Sequence, residues 1–277
     1  MNAAERGVTH KVSAVAVSEG AGVRLQRAIG HPGLQGLDPF LMLDHFSSSN
    51  PGDYIAGFPD HPHRGFVTLT YMLDGHMRHQ DSLGNRGELR AGGAQWMKAA
   101  RGVIHSEMPQ QDQGLMRGFQ LWINLPAREK MSAPHYQEYQ AAAIPPYSRE
   151  GLNARVLAGT LGDVKGPIED PCTDLLFADI TLAPGAVFAP ALAAERAAFL
   201  YVFEGALAQP APVQRQLAVL GRGDMVRLEA GPSGARLLLV AGRPLGEPVA
   251  HYGPFVMNTQ AELETALDDY RHGRLVR

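Results

Sequence analysis

The sequence has a single cysteine, no strongly basic segment and no long apolar run. Because Cys172 has no second thiol to pair with, an intramolecular disulfide and a thiolate zinc cluster are excluded. The net charge of -3 gives no electrostatic reason to bind the phosphates of nucleic acid. No apolar stretch approaches the ~20 residues that cross a bilayer, and the N-terminus has no apolar signal core. We therefore expect a cytoplasmic protein with no membrane contact and no direct nucleic acid binding.

The chain is instead rich in residues that interrupt secondary structure. Its 31 glycines and 20 prolines are scattered and separate short segments rich in Val, Ile, Leu and aromatic residues, which is typical of strands joined by tight turns. One helix is predicted near the end of the chain, where Thr259 and Glu262 match a capping box ahead of an apolar stripe. The sequence therefore predicts an all-β protein with a C-terminal helix.

A length of 277 residues leaves room for two domains. We predict an N-terminal domain at 1–130, a polar, proline-interrupted linker at 131–148, and a C-terminal domain at 149–277. The motifs YMLDG at 71–75 and YVFEG at 201–205 share the pattern of a strand that enters a hairpin turn. The offset from Tyr71 to Tyr201, here called the repeat offset, predicts that one β domain occurs twice.

Two histidines flank Pro62, immediately before an apolar run. Since side chains alternate along a strand, His61 and His63 can converge on one point, at a spacing of about 6.6 Å along the strand. His105 and Glu107 repeat this spacing downstream. Three imidazoles and a carboxylate suit a divalent first-row metal ion such as iron, manganese, nickel, copper or zinc.

The internal repeat limits this cluster to one half of the chain. At the repeat offset the four candidate ligands correspond to positions that are all apolar, namely Ala191, Ala193, Ala235 and Leu237. We therefore expect a metal site in the N-terminal domain and no metal ligands in the C-terminal domain.

Two further histidines, His76 and His79, lie close to the candidate ligands in sequence. Their spacing places them on opposite faces of a strand, so one of them can point inward and either hold a ligand or contact a bound substrate. The pattern leaves open which of the two does so.

Four motifs, taken in order, resemble those of a known family, the pirins. They are DPFLMLDHF at 38–46, FPDHPHRGF at 58–66, AQWMKAARGVIHSEMP at 94–109 and GPFVMNT at 253–259. The resemblance covers essentially the whole chain. It implies a bicupin, two antiparallel β-barrel (jelly-roll) domains with a single metal site in the N-terminal one.

By similarity to pirins, the metal ligands are His61, His63, His105 and Glu107, and the usual metal is iron as Fe(II), with nickel, manganese, copper and zinc as alternatives. Pirins commonly carry a glutamate directly after the HPHRGF motif, where this chain has Val67. Loss of this glutamate would remove a hydrogen bond to the groups around the metal ligands or alter how the site handles its substrate.

The resemblance implies two functions from different classes. The first is a metal-dependent dioxygenase that acts on a flavonol such as quercetin, with Glu107 as the catalytic group that takes the substrate's hydroxyl proton. The second is a redox-sensitive regulatory protein whose metal alters the surface presented to transcription factors or metabolic enzymes. A metal site that only stabilises the domain is a third reading. The physiological substrate, the protein partners and the oligomeric state are not specified by the sequence.

Overall fold

The computed structural model describes residues 4–276, and most of them lie in strands, so the all-β prediction is confirmed. Two helices, α1 (Ala127–Lys130) and α2 (Gln260–Arg271), and two short 3₁₀ segments (Pro51–Asp53 and Ala141–Ala143) complete the regular structure. No helix within residues 4–276 has the length and apolar character needed to span a membrane.

The strands are numbered in chain order. The first twelve are β1 (Val8–Ser13), β2 (Val15–Glu19), β3 (Val23–Ile29), β4 (Phe40–Ser48), β5 (Phe58–His63), β6 (Phe66–Asp74), β7 (His76–Asp81), β8 (Arg86–Arg90), β9 (Ala94–Lys98), β10 (Val103–Pro109), β11 (Met116–Asn124) and β12 (His135–Tyr139). The remaining strands are β13 (Pro146–Arg149), β14 (Leu152–Ala158), β15 (Thr160–Leu161), β16 (Val164–Lys165), β17 (Leu176–Leu182), β18 (Val187–Phe188), β19 (Ala197–Gln209), β20 (Gln216–Leu220), β21 (Leu228–Gly242), β22 (Ala250–Tyr252) and β23 (Phe255–Met257).

Two compact units are each assembled from separate segments of the chain. The first contains residues 4–15, 31–39 and 142–244, and the second contains residues 16–30, 40–141 and 245–276. These units differ from the predicted division at 1–130 and 149–277 at both ends of the chain. The reason is hydrogen bonding, because β1 pairs with β20 in the first unit, and Arg64 bonds to Pro254 and Val256 in the second.

The second unit contains the sheets that carry the predicted site. Seven strands form one sheet in the order β12-β9-β6-β11-β4-β3-β2, and four form another in the order β5-β10-β7-β8. The segment predicted as a linker contributes β12, which pairs with β9 over residues 135–139. The predicted metal ligands all lie on β5 and β10, in the four-stranded sheet.

The first unit repeats the strand order of the seven-stranded sheet. Its main sheet runs β1-β20-β19-β21-β17-β14-β13, with β18 added on β21. Strands β20, β19, β21, β17 and β14 therefore take the places of β9, β6, β11, β4 and β3. Buried side chains such as Leu200, Leu237 and Leu239 fill its core. The predicted duplication is confirmed in strand order.

The prediction that the repeat offset applies along the whole domain is wrong beyond the repeated hairpin motif. Tyr71 on β6 pairs with Phe119, whereas its counterpart Tyr201 on β19 pairs with Leu238, so the two partners lie closer together in sequence than the two tyrosines do. Strands β7, β8 and β10, which lie between the shared strands of the second unit, change the spacing. The positions matched to the β10 ligands therefore lie on β21, the counterpart of β11.

The predicted C-terminal helix is confirmed as α2. Its capping box is complete, because the Thr259 hydroxyl accepts a hydrogen bond from the backbone of Glu262, and the Glu262 carboxylate accepts one from the backbone of Thr259. Leu263 and Ala266 are buried and form the inner face of the helix.

A glycine beside the first pair of predicted ligands allows the C-terminal segment to approach closely. Gly65 has a φ of 92°, and a Cβ at this position would lie 1.8 Å from the carbonyl oxygen of Val256. The Arg64 amide donates to the Pro254 carbonyl, and the Val256 amide donates to the Arg64 carbonyl. The backbone that follows His63 is thereby held against β23.

A buried lysine strengthens the same contact. The Lys130 side chain is 1% exposed, and its Nζ donates to the carbonyl oxygens of Gly65 and Val256 and to Oδ1 of Asn124, at 2.7, 2.9 and 2.6 Å. Burial lowers the pKa of Lys130 to about 8. The three acceptors compensate for burying the ammonium group, which has three donors.

We expect Gly65→Ala to destabilise the protein more than Gly84→Ala. Both glycines have positive φ, 92° and 87°, but nothing lies within 4 Å of a Cβ built at Gly84. Left-handed backbone costs alanine about 1–2 kcal/mol at either position, and the contact with Val256 adds about 1–3 kcal/mol at Gly65. Urea unfolding of the two variants measures the difference. Equal losses would show that Gly65 is needed only for its backbone angle.

Candidate metal centre

Three histidines converge where β5 pairs with β10. The antiparallel register places His105 directly opposite His61 and Val103 opposite His63. One ligand atom from each of His61, His63 and His105 lies within 4.8 Å of the others, and no other such group of three or more His, Cys, Asp or Glu residues occurs within residues 4–276. The convergence of the two predicted His positions on β5 with His105 is therefore confirmed.

Several ring nitrogens of this cluster are buried without hydrogen-bond partners. These are both nitrogens of His63 and Nε2 of His105, whose residues are 2% and 1% exposed. Buried polar atoms are nearly always hydrogen bonded, so unpaired nitrogens on neighbouring rings indicate a ligand position. Burial lowers the pKa of both rings well below the usual value, and neighbouring histidines lower it further. Both rings stay neutral near pH 7 and keep lone pairs that a metal ion can bind.

The tautomer of His61 follows from its backbone contact. Its Nδ1 lies 2.8 Å from the carbonyl oxygen of Pro59. Since a carbonyl oxygen only accepts hydrogen bonds, Nδ1 carries the proton and Nε2 carries the lone pair.

A chain of hydrogen bonds orients His105. Its Nδ1 lies 3.3 Å from Nδ1 of His79, and Nε2 of His79 lies 3.3 Å from Oδ2 of Asp81. The Asp81 carboxylate also accepts two bonds from the backbone of Leu83 and Asn85 and one from the Asn85 side chain, which hold it in place. A carboxylate accepts, so His79 donates from Nε2 and accepts at Nδ1. His105 then donates from Nδ1, which leaves Nε2 as its ligand atom.

The two histidines that the sequence could not separate therefore have different positions. His79 is 1% exposed, contacts His105 and stacks on Tyr136 with ring centroids 4.8 Å apart. His76 instead bonds to Glu88. Of the two, His79 is the one that contacts a predicted ligand, and its role in holding that ligand stays a prediction.

Glu107 lies outside the three-histidine group but beside it on β10. Its Oε1 accepts from the Thr70 hydroxyl at 3.1 Å, and its Oε2 accepts from Nε2 of Gln120 at 2.8 Å. Each carboxylate oxygen retains a further lone pair. The role of Glu107 as a fourth ligand stays a prediction.

A cavity of about 650 Å³ in the second unit opens onto this centre, with His61, His63 and Glu107 in its lining. Its floor is crossed by a line of side chains that sequence reasoning missed, here called the polar row. The polar row consists of Thr70 on β6, Gln120 on β11, Asp44 on β4 and Arg27 on β3, which oppose one another across neighbouring strands. Each of these strands contains several polar residues among its apolar ones, so no signal in the sequence singles out these four side chains.

The presence of Val67 where pirins commonly have a glutamate does not take a polar group away from the cavity floor. Side chains alternate along β6, so Val67 points to the face opposite Thr68 and Thr70, and it is 1% exposed. A glutamate at position 67 would point away from the polar row. The departure from the pirin motif therefore leaves the contacts of Glu107 intact.

Two all-β units with one strand order, one of which carries a three-histidine cluster with two buried rings, define a two-domain cupin protein. The model of the Pirin family matches residues 22–123, and the model of the Pirin C-terminal cupin domain matches residues 177–276. The chain belongs to the pirin family.

Relatives extend this likeness over nearly the full length. A pirin-like protein of Caulobacter vibrioides is 51% identical over 97% of this chain and 99% of its own. A Pseudomonas aeruginosa protein with the provisional name quercetin 2,3-dioxygenase is 49% identical over 93% of this chain and 94% of its own. The crystal structure of quercetin 2,3-dioxygenase from Acinetobacter baumannii superposes with a TM-score of 0.91 at 30% identity and covers 99% of this chain and 100% of that one.

We expect His79→Phe to weaken nickel(II) binding about 10- to 100-fold, because loss of an outer hydrogen-bond partner lets the ligand ring rotate and lowers its basicity. His76→Phe is the matched control, since His76 contacts Glu88 rather than a predicted ligand. Competition titration against a chelator measures both affinities. Equal effects of the two substitutions would contradict the assigned role of His79.

The metal-free protein should lose stability as the pH falls. The pKa values of His63 and His105 are lowered in the folded state, so the unfolded state binds more protons below its histidine pKa of about 6.5. Two such groups together lower the free energy of unfolding by about 2–3 kcal/mol as the pH falls from about 7.5 to about 5.5. Urea unfolding in the presence of a chelator measures the slope. The His105→Gln variant should show about half of this dependence, and an unchanged slope would refute the assignment.

Proposed function

We propose that the chain is a metal-dependent dioxygenase that acts on a flavonol such as quercetin at a mononuclear iron site. The ligands are His61, His63, His105 and Glu107. The observation that carries the proposal is the cluster of three imidazoles, two of them buried, at the wall of a ligand-sized cavity. The provisional name of the Pseudomonas aeruginosa relative supports the choice of substrate.

The residues of the centre fit a divalent first-row ion. Three imidazole nitrogens and one carboxylate form the mixed donor set that iron, manganese, nickel, copper and zinc accept. A bound metal ion would supply the unpaired ring nitrogens of His63 and His105 with the partner that they lack. When bound, iron would polarise a coordinated substrate oxygen and supply the one-electron chemistry that reaction with O₂ requires.

Glu107 serves as the proton acceptor of the site. Thr70 and Gln120 hold its two oxygens in place, and neither bond uses up the lone pairs of the carboxylate. A substrate hydroxyl that enters the cavity beside the histidines would meet this carboxylate and lose its proton to it.

The cavity suits an extended aromatic substrate. Its volume of about 650 Å³ lies within the ~300–1,000 Å³ that is usual for small-molecule sites. Trp122 contributes an aromatic wall beside the centre, with its ring 5.2 Å from that of His63. Its indole Nε1 donates to Oε1 of Gln120, which fixes the indole relative to the polar row.

Oxygen consumption tests the proposal. We expect Fe(II)-loaded protein to consume O₂ when quercetin is added, and we expect His105→Ala to lower that rate by at least about 100-fold, because loss of a ligand exceeds the ~10- to 100-fold cost of losing an outer partner. His135→Ala, which removes an exposed histidine on β12, is the matched control and should retain the rate.

Circular dichroism and metal analysis accompany each variant. Absence of O₂ uptake by wild-type protein that holds one iron per chain would contradict the dioxygenase. That result would favour the redox-sensitive regulatory function, in which the metal alters the surface offered to a transcription factor or metabolic enzyme.

A further inference from the structure

The polar row ends in a charged cluster far from the histidines. Arg27 Nε and Nη2 donate to the two oxygens of Asp44 at 2.8 Å each, and Arg27 Nη2 also lies 2.8 Å from Oε1 of Glu19. Three strand spacings, or about 14 Å, separate Thr70 beside the metal centre from Arg27. The cavity therefore has two chemically distinct ends on one floor.

The far end carries an excess of negative charge. One guanidinium faces two carboxylates there, and bidentate pairing with the buried Asp44 takes two of its five N–H donors. The Glu19 side chain is 44% exposed, whereas those of Arg27 and Asp44 are 16% and 5% exposed. Glu19 is thus the member of the cluster that a ligand can reach, and its carboxylate offers acceptors.

Apolar side chains border the polar row on both sides. On one side, two residues beyond the row, Trp122 on β11 lies opposite Met42 on β4. On the other side, also two residues beyond the row, Phe46 on β4 lies opposite Leu25 on β3. All four line the cavity. A flat ring system can therefore rest along the polar row with its faces against apolar groups and its polar edges over the row.

We propose that Glu19, held by Arg27, is the specificity residue of this cavity. It accepts hydrogen bonds from hydroxyl groups at the end of a planar, uncharged polyphenol that lies farthest from the histidines, and it repels a carboxylate in that position. The inference rests on the proposed function, because it assumes that the other end of the same ligand lies at the metal centre.

Three flavonols with one core and different distal rings test the inference. Quercetin carries distal hydroxyls, galangin carries none, and a 4′-carboxyflavonol carries a charge. Binding to nickel(II)-loaded protein under anaerobic conditions, followed by tryptophan fluorescence, separates recognition from turnover. We expect the wild type to bind quercetin about 10-fold more tightly than galangin, as expected for one or two hydrogen bonds to a charged group, and to bind the carboxylate most weakly.

The Glu19→Gln variant should reduce the preference for quercetin over galangin to about 3-fold or less and raise the affinity for the carboxyflavonol about 10-fold, because like-charge repulsion is removed. Glu264→Gln changes an exposed glutamate on α2 outside the cavity and should keep all three affinities. A Glu19 that only positions Arg27 would instead weaken the three flavonols equally, and that result would overturn the inference.

Failure of the proposed function gives a different result. If the wild type binds none of the three flavonols, the flavonol substrate class is overturned together with the specificity role of Glu19. If the wild type binds quercetin and consumes O₂ but Glu19→Gln leaves the three affinity ratios unchanged, only the specificity role is overturned.

Discussion

The register of β10 between β5 and β7 is the constraint on which the candidate centre depends. This register sets His105 opposite His61 on one side and opposite Asp81 on the other, and sets Glu107 opposite His79. A slip of one residue would turn every side chain of β10 to the other face of the sheet. The ligand cluster, the hydrogen bonds that orient it and the contact of Glu107 with the polar row would then be lost together.

Forming this centre without a metal ion is unfavourable in free energy. Each buried nitrogen that lacks a hydrogen bond loses contact with water and gains nothing in exchange. The surrounding structure has to impose the arrangement, and it does so with the close packing of Gly65 on Val256 and the three hydrogen bonds of Lys130. Rigidity around the histidines is therefore concentrated on the side of the cavity where β5 ends.

Much of this structure was accessible from local sequence patterns. Alternation along a strand predicted that His61 and His63 share a face, and a capping box predicted the start of α2 at Thr259. The choice between His76 and His79 was not accessible, because it depends on the register of β7 with β10, which decides which of the two shares a sheet face with His105. The polar row was also missed, since Gln120 lies far in sequence from Arg27 and Asp44 and joins them only in the folded sheet.

The interleaving of the two units sets the order in which they are completed during synthesis. A nascent chain leaves the ribosome from its N-terminus at ~5–20 residues per second. Strand β1 has no partner until β20 follows, and the segment of β23 that backs Gly65 lies far beyond the histidines in sequence. The histidines are therefore present long before their support is translated. Neither unit is formed by one continuous stretch of chain, and the contact that backs Gly65 requires residues 255–257 to be translated.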